Sequence, residues 1–117
     1  MREVIAIIRR EKARKTKESC GAAGLSLTSC NVVGRGKERG LRYHSRPGKG
    51  GGAGAGIAYL PKVMLTLVVR DEDVDGVVKL IMEQNRTGSV GDGKVFVCPM
   101  EEAVRIRTGE RGAEALT

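Results

Sequence analysis

The chain alternates short apolar runs with longer mixed ones. Val4-Ile5-Ala6-Ile7-Ile8 is apolar, β-branched and too short for a helix. It reads as a strand buried on both faces. Arg9 to Ala23 is rich in Lys, Arg, Glu and Ala and is a helix by propensity. Its apolar side is thin, with Ala13, Thr16, Cys20 and Ala23 at helical spacing. Side chains that small imply close approach to the sheet. Gly24 reads as the helix stop. Leu25 to Val33 is a second strand, with Leu25, Leu27, Val32 and Val33 as its apolar members. Leu60 to Val69 is a third, and Pro61 is tolerated near its start. Asp71 to Gln84 is the clearest helix. Val74, Val77, Val78 and Ile81 form its i, i+3, i+4, i+7 stripe. Asp71 reads as its cap, and Glu72 and Asp73 suit its positive end. Gly76 lies off the stripe, where it leaves room for a close neighbour. Val95-Phe96-Val97-Cys98, closed by Pro99, is the fourth strand.

The order β-α-β-β-α-β predicts an α+β, ferredoxin-like (split βαβ) fold: an antiparallel sheet with both helices on one face. The other face then needs a cover, which favours oligomers. Gly34 to Tyr59 breaks every periodicity, and its middle, residues 48–56, is nearly all glycine and alanine. It is too long for an ordinary turn. Nothing on either side is a separate domain, so it reads as an adaptable reach into a partner. Residues 41–56 have almost no apolar content to dock them, so mobility is expected there.

Composition narrows the picture. At 117 residues this is one small domain, residues 1–117, and with 3% aromatics its core must be aliphatic. The formal net charge of +7 points to an anionic partner. Three scattered cysteines, Cys20, Cys30 and Cys98, have neither disulfide-framework nor metal-finger spacing. That fits a reducing compartment, with Cys20 and Cys98 as small buried hydrophobes. With charges at Arg2, Glu3, Arg9 and Arg10 no signal peptide is expected, and no apolar run approaches membrane-spanning length. A soluble cytoplasmic protein is expected.

Candidate chemistry concentrates in Thr87 to Lys94, TGSVGDGK. Gly88, Gly91 and Gly93 permit positive φ and can present N–H groups to an anion, phosphate above all. Lys94 adds a point charge. Gly88, Gly93 and Lys94 fit a Walker loop, but Val95 replaces the Mg²⁺-binding hydroxyl and a strand replaces the helix. An ordinary glycine-rich hairpin connection fits this loop alone as well. Arg105 and Arg107 follow, two apart. On an extended segment they share a face and can grip a polyphosphate.

The stretch TGSVGDGKVFVCPMEEAVRIRTGERG resembles the C-terminal signature of the PII signal-transduction proteins. REVIAIIR, VVGRGKERG and YLPKVMLTLVV extend the resemblance over nearly the whole chain, in family order. The basic GRGK segment and the glycine-rich central loop look most like the nitrogen-fixation-linked, NifI-type branch. The resemblance implies a trimer, or a mixed trimer with a sister subunit, with ATP or ADP between subunits. Gly91, Asp92, Gly93 and Lys94 match the loop that cradles the nucleotide. Arg105 and Arg107 match the pair reaching its phosphates from the adjacent subunit. Thr28 and Val68 match residues beside the adenine, and Gly34 and Lys37 match the base of the central T-loop. Arg9, Glu38, Arg39, Gly40 and Lys62 match the surroundings of 2-oxoglutarate. Glu38 stands where the family's Mg²⁺-ligating glutamine stands. It still suits Mg²⁺. Either the metal absorbs the added charge or 2-oxoglutarate binding weakens. Tyr43 and Tyr59 are not placed like the family's uridylylation target, so that modification is not expected.

The favoured reading is a non-catalytic sensor of ATP against ADP, with 2-oxoglutarate and Mg²⁺. Its T-loop binds or releases a nitrogen-metabolism target, dinitrogenase on this branch. An ATP-hydrolysing enzyme would need a general base near the glycine loop. The sole histidine, His44, lies on the central loop instead. A nucleic-acid binder would suit the charge but would need stacking aromatics.

Overall fold

The computed structural model describes residues 1–36 and 59–117. Four strands form one antiparallel sheet in the order β2-β3-β1-β4: β1 (Arg2–Arg9), β2 (Thr28–Gly34), β3 (Leu60–Val69) and β4 (Gly93–Pro99). Helices α1 (Ala13–Ala22) and α2 (Val74–Asn85) connect β1 to β2 and β3 to β4. This is the ferredoxin-like arrangement expected from the element order. A short 3₁₀ turn precedes each helix, and a third, Gly112–Leu116, follows the sheet.

Alternation sets the core. Val4, Ala6 and Ile8 of β1 lie opposite Leu67, Leu65 and Val63 of β3, and all six are buried. Ala13, Thr16 and Cys20 of α1 and Val74, Val77 and Ile81 of α2 close over them. Burying each larger side chain contributes about 1.5–3 kcal/mol. Burial pushes the Cys20 thiol above its ordinary pKa. The intervening residues, Ile5 and Ile7 with Met64 and Val68, face the other way and are only half-buried. β1 is therefore buried fully on one face, not two. An antiparallel sheet with both helices on one side leaves the second face without a cover among the described residues.

Other boundaries move for local reasons. Gly24, at φ +74°, ends α1 as expected. Leu25 N–H donates to Cys20 O at 2.9 Å and Gly24 N–H to Gly21 O at 3.0 Å, a Schellman turn. That turn carries Leu25 and Leu27 beneath the core, so β2 begins only at Thr28. Asp71 does not cap α2. Its carboxylate meets the Met1 ammonium at 3.0 Å and Arg2 Nε at 3.7 Å, and the ammonium's hydrogen bond is the main cause of its lowered pKa. Gly76 leaves room that no described residue fills, Ala23 is exposed, and Cys98 is half-exposed on the uncovered face.

A polar link joins the helices where small side chains bring them together. Thr16 Oγ1 donates to Lys12 O at 2.8 Å. Asn85 Nδ2 donates to Thr16 Oγ1 at 3.0 Å and to Ile81 O at 2.8 Å. Asn85 Oδ1 is buried without a partner. Thr16→Val should cost about 1–3 kcal/mol in urea unfolding, because it strands a buried amide proton. Adding Asn85→Leu should recover most of that loss. A double variant no more stable than Thr16→Val would contradict this account.

Candidate functional site

The loop after α2 is held by its own aspartate. Asp92 Oδ2 accepts from Thr87 N–H at 2.8 Å and Gly88 N–H at 2.9 Å, and Oδ1 accepts from Thr87 Oγ1 at 2.5 Å. Arg9 reaches the same carboxylate at 3.6 Å and donates to Val90 O at 2.9 Å. Lys62 Nζ donates to Gly91 O at 2.9 Å. Gly88, Gly91 and Gly93 all have positive φ, as the loop reading expects. The Gly88 N–H, however, is spent on Asp92 and is not presented to an anion.

Gly93 is the tightest position. A Cβ there would lie 1.8 Å from Ile7 O, at φ +106°. From Gly93 the chain enters β4, so a strand follows the lysine, as its apolar run indicates. Lys94 and Phe96 lie opposite Ile7 and Ile5, on the uncovered face.

A cleft of about 460 Å³ opens beside this loop. It gathers Gly34, Lys62, Gly91, Gly93 and Lys94 from among the residues picked out in the sequence. Ile7, Leu60, Val90 and Phe96 supply apolar walls, and Arg35 adds a third cation. These were not singled out from the sequence, although the alternation of β1 and β4 places Ile7, Lys94 and Phe96 on one face. Apolar walls beside Lys62, Lys94 and Arg35 suit a flat base joined to a polyphosphate, and the size suits a small ligand. Asp92 lies behind the loop, toward Asn85 of α2. Lys37, Glu38, Arg39, Gly40, Tyr43, His44 and the 41–56 segment lie outside the described residues. Among the described residues, no group of three or more His, Cys, Asp or Glu side chains could hold a metal.

Thr28, Val68, Arg105 and Arg107 lie elsewhere. The register puts Gly93 beside Ile8 at one end of β1, and Val69 and Pro99 beside Arg2 at the other. Six residues of strand span about 20 Å. The chain after Pro99 stays at the far end, where Arg70 Nη2 donates to Ala113 O at 3.5 Å. Val68 lies opposite Glu3, near that end, and Thr28 lies on the far edge strand, opposite Thr66. Arg105 and Arg107 are not on an extended segment. Val104 pairs with Arg111, Arg105 N–H donates to Glu110 O at 2.9 Å, and Gly109 N–H returns to Arg105 O at 2.7 Å. The Thr108-Gly109 turn, with Gly109 at φ +74°, folds the arginines into a hairpin. Arg107 is exposed in it. The residues picked out in the sequence thus fall into two groups, one at the Gly93 end of the sheet and the other away from it.

The family model described as nitrogen regulatory protein P-II matches residues 1–110. Similar proteins include a "nitrogen fixation nifHD region GlnB-like protein 2" of Methanobacterium ivanovii, 44% identical over 99% of both chains. Another of that name, from Methanothermobacter marburgensis, is 44% identical over 99% of this chain and all of its own. A "nitrogen regulatory protein P-II 2" of Methanothermobacter thermautotrophicus is 44% identical over 99% of this chain and 97% of its own.

The loop clamp predicts an acid titration. Hydrogen bonds from Thr87, first from its hydroxyl and then from its N–H, with that from the Gly88 N–H and the charge of Arg9, hold Asp92 at about 2, below the ordinary 3.8. The stability it lends is complete above the ordinary value and is lost as pH falls through about 2. The Thr87 and Gly88 amide signals should therefore titrate with a midpoint near 2 by NMR. A midpoint near 4 would mean that the clamp is open in solution. Gly93→Ala should destabilise the fold by about 3 kcal/mol or more, because backbone must move.

Proposed function

The chain belongs to the nitrogen regulatory protein P-II family, and from that premise we propose that it is a nucleotide sensor. It reads ATP against ADP in clefts between copies, with 2-oxoglutarate and Mg²⁺ as further effectors. It passes the result to a nitrogen-metabolism protein through residues 41–56. The family and the P-II 2 relative are named as nitrogen regulatory proteins, and the chain is a regulator, not an enzyme. The names of the nifHD-region relatives favour dinitrogenase as the target.

The observation that carries the ligand reading is the pair of half-sites. The first combines a loop of close-approach backbone with Lys94 and apolar walls. The second carries Thr28, Val68 and the exposed Arg107. Within one chain they cannot meet on one small molecule. Head-to-tail contact between copies brings the first half of one copy to the second half of the next, and a closed ring of three repeats this at every contact. The half-buried apolar face of β1 and β3 supplies the surface such a ring buries. Among the described residues no helix is long and apolar enough to cross a membrane. Lys37, Glu38, Arg39 and Gly40, at the base of the 41–56 segment, are the residues through which effectors would act on the target.

Two variants and their mixture test this. Lys94→Ala and Arg107→Ala should each weaken ATP binding by about 1.5–3 kcal/mol in calorimetry, as expected for charge-assisted bonds. Co-assembled one to one, the two variants should regain wild-type affinity at about a quarter of the sites, since a cyclic contact pairs one chain's loop with another's arginine. Wild-type-like affinity in both single variants would sink the assignment. Absence of rescue in the mixture would sink the shared cleft.

A further inference from the structure

Arg105 differs from Arg107 in what it already holds. Its side chain is 20% exposed. Nη1 donates to Glu110 Oε2 at 3.0 Å. Nη2 donates to Glu114 O at 2.8 Å, to Thr117 Oγ1 at 3.3 Å and to Thr117 O. Thr117 Oγ1 in turn donates to Glu114 O at 3.1 Å, which closes the turn on itself. A guanidinium grips phosphate well through two nitrogens at once, either Nη1 with Nη2 or Nε with Nη2. Both edges include Nη2. Here Nη2 has two protons and three acceptors, all from the chain's own C-terminal turn.

We propose that the turn formed by residues 110–117 is a built-in competitor for the nucleotide: it withholds Arg105 from the cleft and is released when a polyphosphate takes that side chain. The turn mimics the ligand, with a carboxylate and carbonyl oxygens standing where phosphate oxygens would go. Its grip is weak enough to yield. The Arg105–Glu110 pair is partly solvated, and such pairs contribute little. The hairpin survives the exchange, because its Arg105–Glu110 and Gly109–Arg105 backbone bonds do not involve the guanidinium. Arg107, exposed at the same hairpin, meets the phosphates first, and Arg105 follows only if the ligand outbids the turn. A triphosphate offers more oxygens than a diphosphate, so the competition sharpens discrimination between ATP and ADP.

This rests on the nucleotide reading above, and Glu110→Gln separates the two. Glu110 is exposed and its backbone bonds remain, so the variant keeps the hairpin. If the turn competes, Glu110→Gln should bind MgATP about two- to fivefold tighter than wild type in calorimetry, the scale of one exposed ion pair. Hydrogen exchange at residues 112–116 should accelerate when MgATP is added to the wild type. If Glu110 instead braces Arg105 for the ligand, the variant binds more weakly, as Arg105→Ala would, and exchange at 112–116 slows. That result overturns the proposal and leaves the nucleotide reading standing. Failure of wild type and Glu110→Gln alike to bind MgATP would remove both.

Discussion

The backbone contact between Gly93 and Ile7 is the constraint on which the rest of the site depends. A carbonyl occupies the space of a Cβ, at a φ that side chains avoid. Because the chain passes that close, β4 pairs with β1 from its first residue. Because the pairing starts there, Lys94 and Phe96 face the cleft and Val95 faces the helices. One residue of slip would reverse all three. The same approach fixes where the loop ends, which lets Asp92 reach back to Thr87 and Gly88. Core, register and the loop before β4 thus share one glycine.

Sheet length then decides how the site is assembled. The loop and the arginine hairpin are placed by the same strands at opposite ends, so the chain cannot fold its second half-site onto its first. Ala113 and Glu114 are tied down by the Arg70 and Arg105 side chains, near the end of β3. On the proposed reading, completion by another copy is what the geometry leaves. The uncovered face, half-buried and apolar, already lacks a layer for the same topological reason.

The fold was legible where one physical signal dominated. The bounds of β3 follow from sustained alternation with a proline at its start, and the α2 stripe matches the buried Val74, Val77 and Ile81. Leu25 and Leu27 misled because apolar residues can pack as a return loop as well as a strand. Asp71 misled because a cap and an ion-pair partner need the same carboxylate, and the nearby ammonium wins. In the site, the glycines announced close backbone approach. Which N–H groups remain for a ligand could not be read, because Asp92 serves the loop from inside. The Arg105/Arg107 spacing suggested a shared face. Thr108-Gly109 carried the opposing turn signal, and the turn prevailed. Lys37, Glu38 and Arg39 lie where sequence alone still speaks.

Electrostatics links assembly to ligand. Lys62, Lys94 and Arg35 line one half-site, and Arg107 is exposed in the other. Bringing those halves together concentrates like charge, which opposes contact between copies of a chain that is already basic. A polyphosphate between them reverses the sign of the interaction. On the reading proposed here the nucleotide is therefore part of the interface as well as its cargo, and binding stabilises the assembly by mass action. ATP differs from ADP by one more anionic group, and on this reading that group would meet the cations of the second copy. The occupied clefts would differ mainly in how firmly two copies, and the arginine hairpin between them, are drawn together. A regulator without a catalytic step needs no more than such a difference, provided its target distinguishes the two shapes.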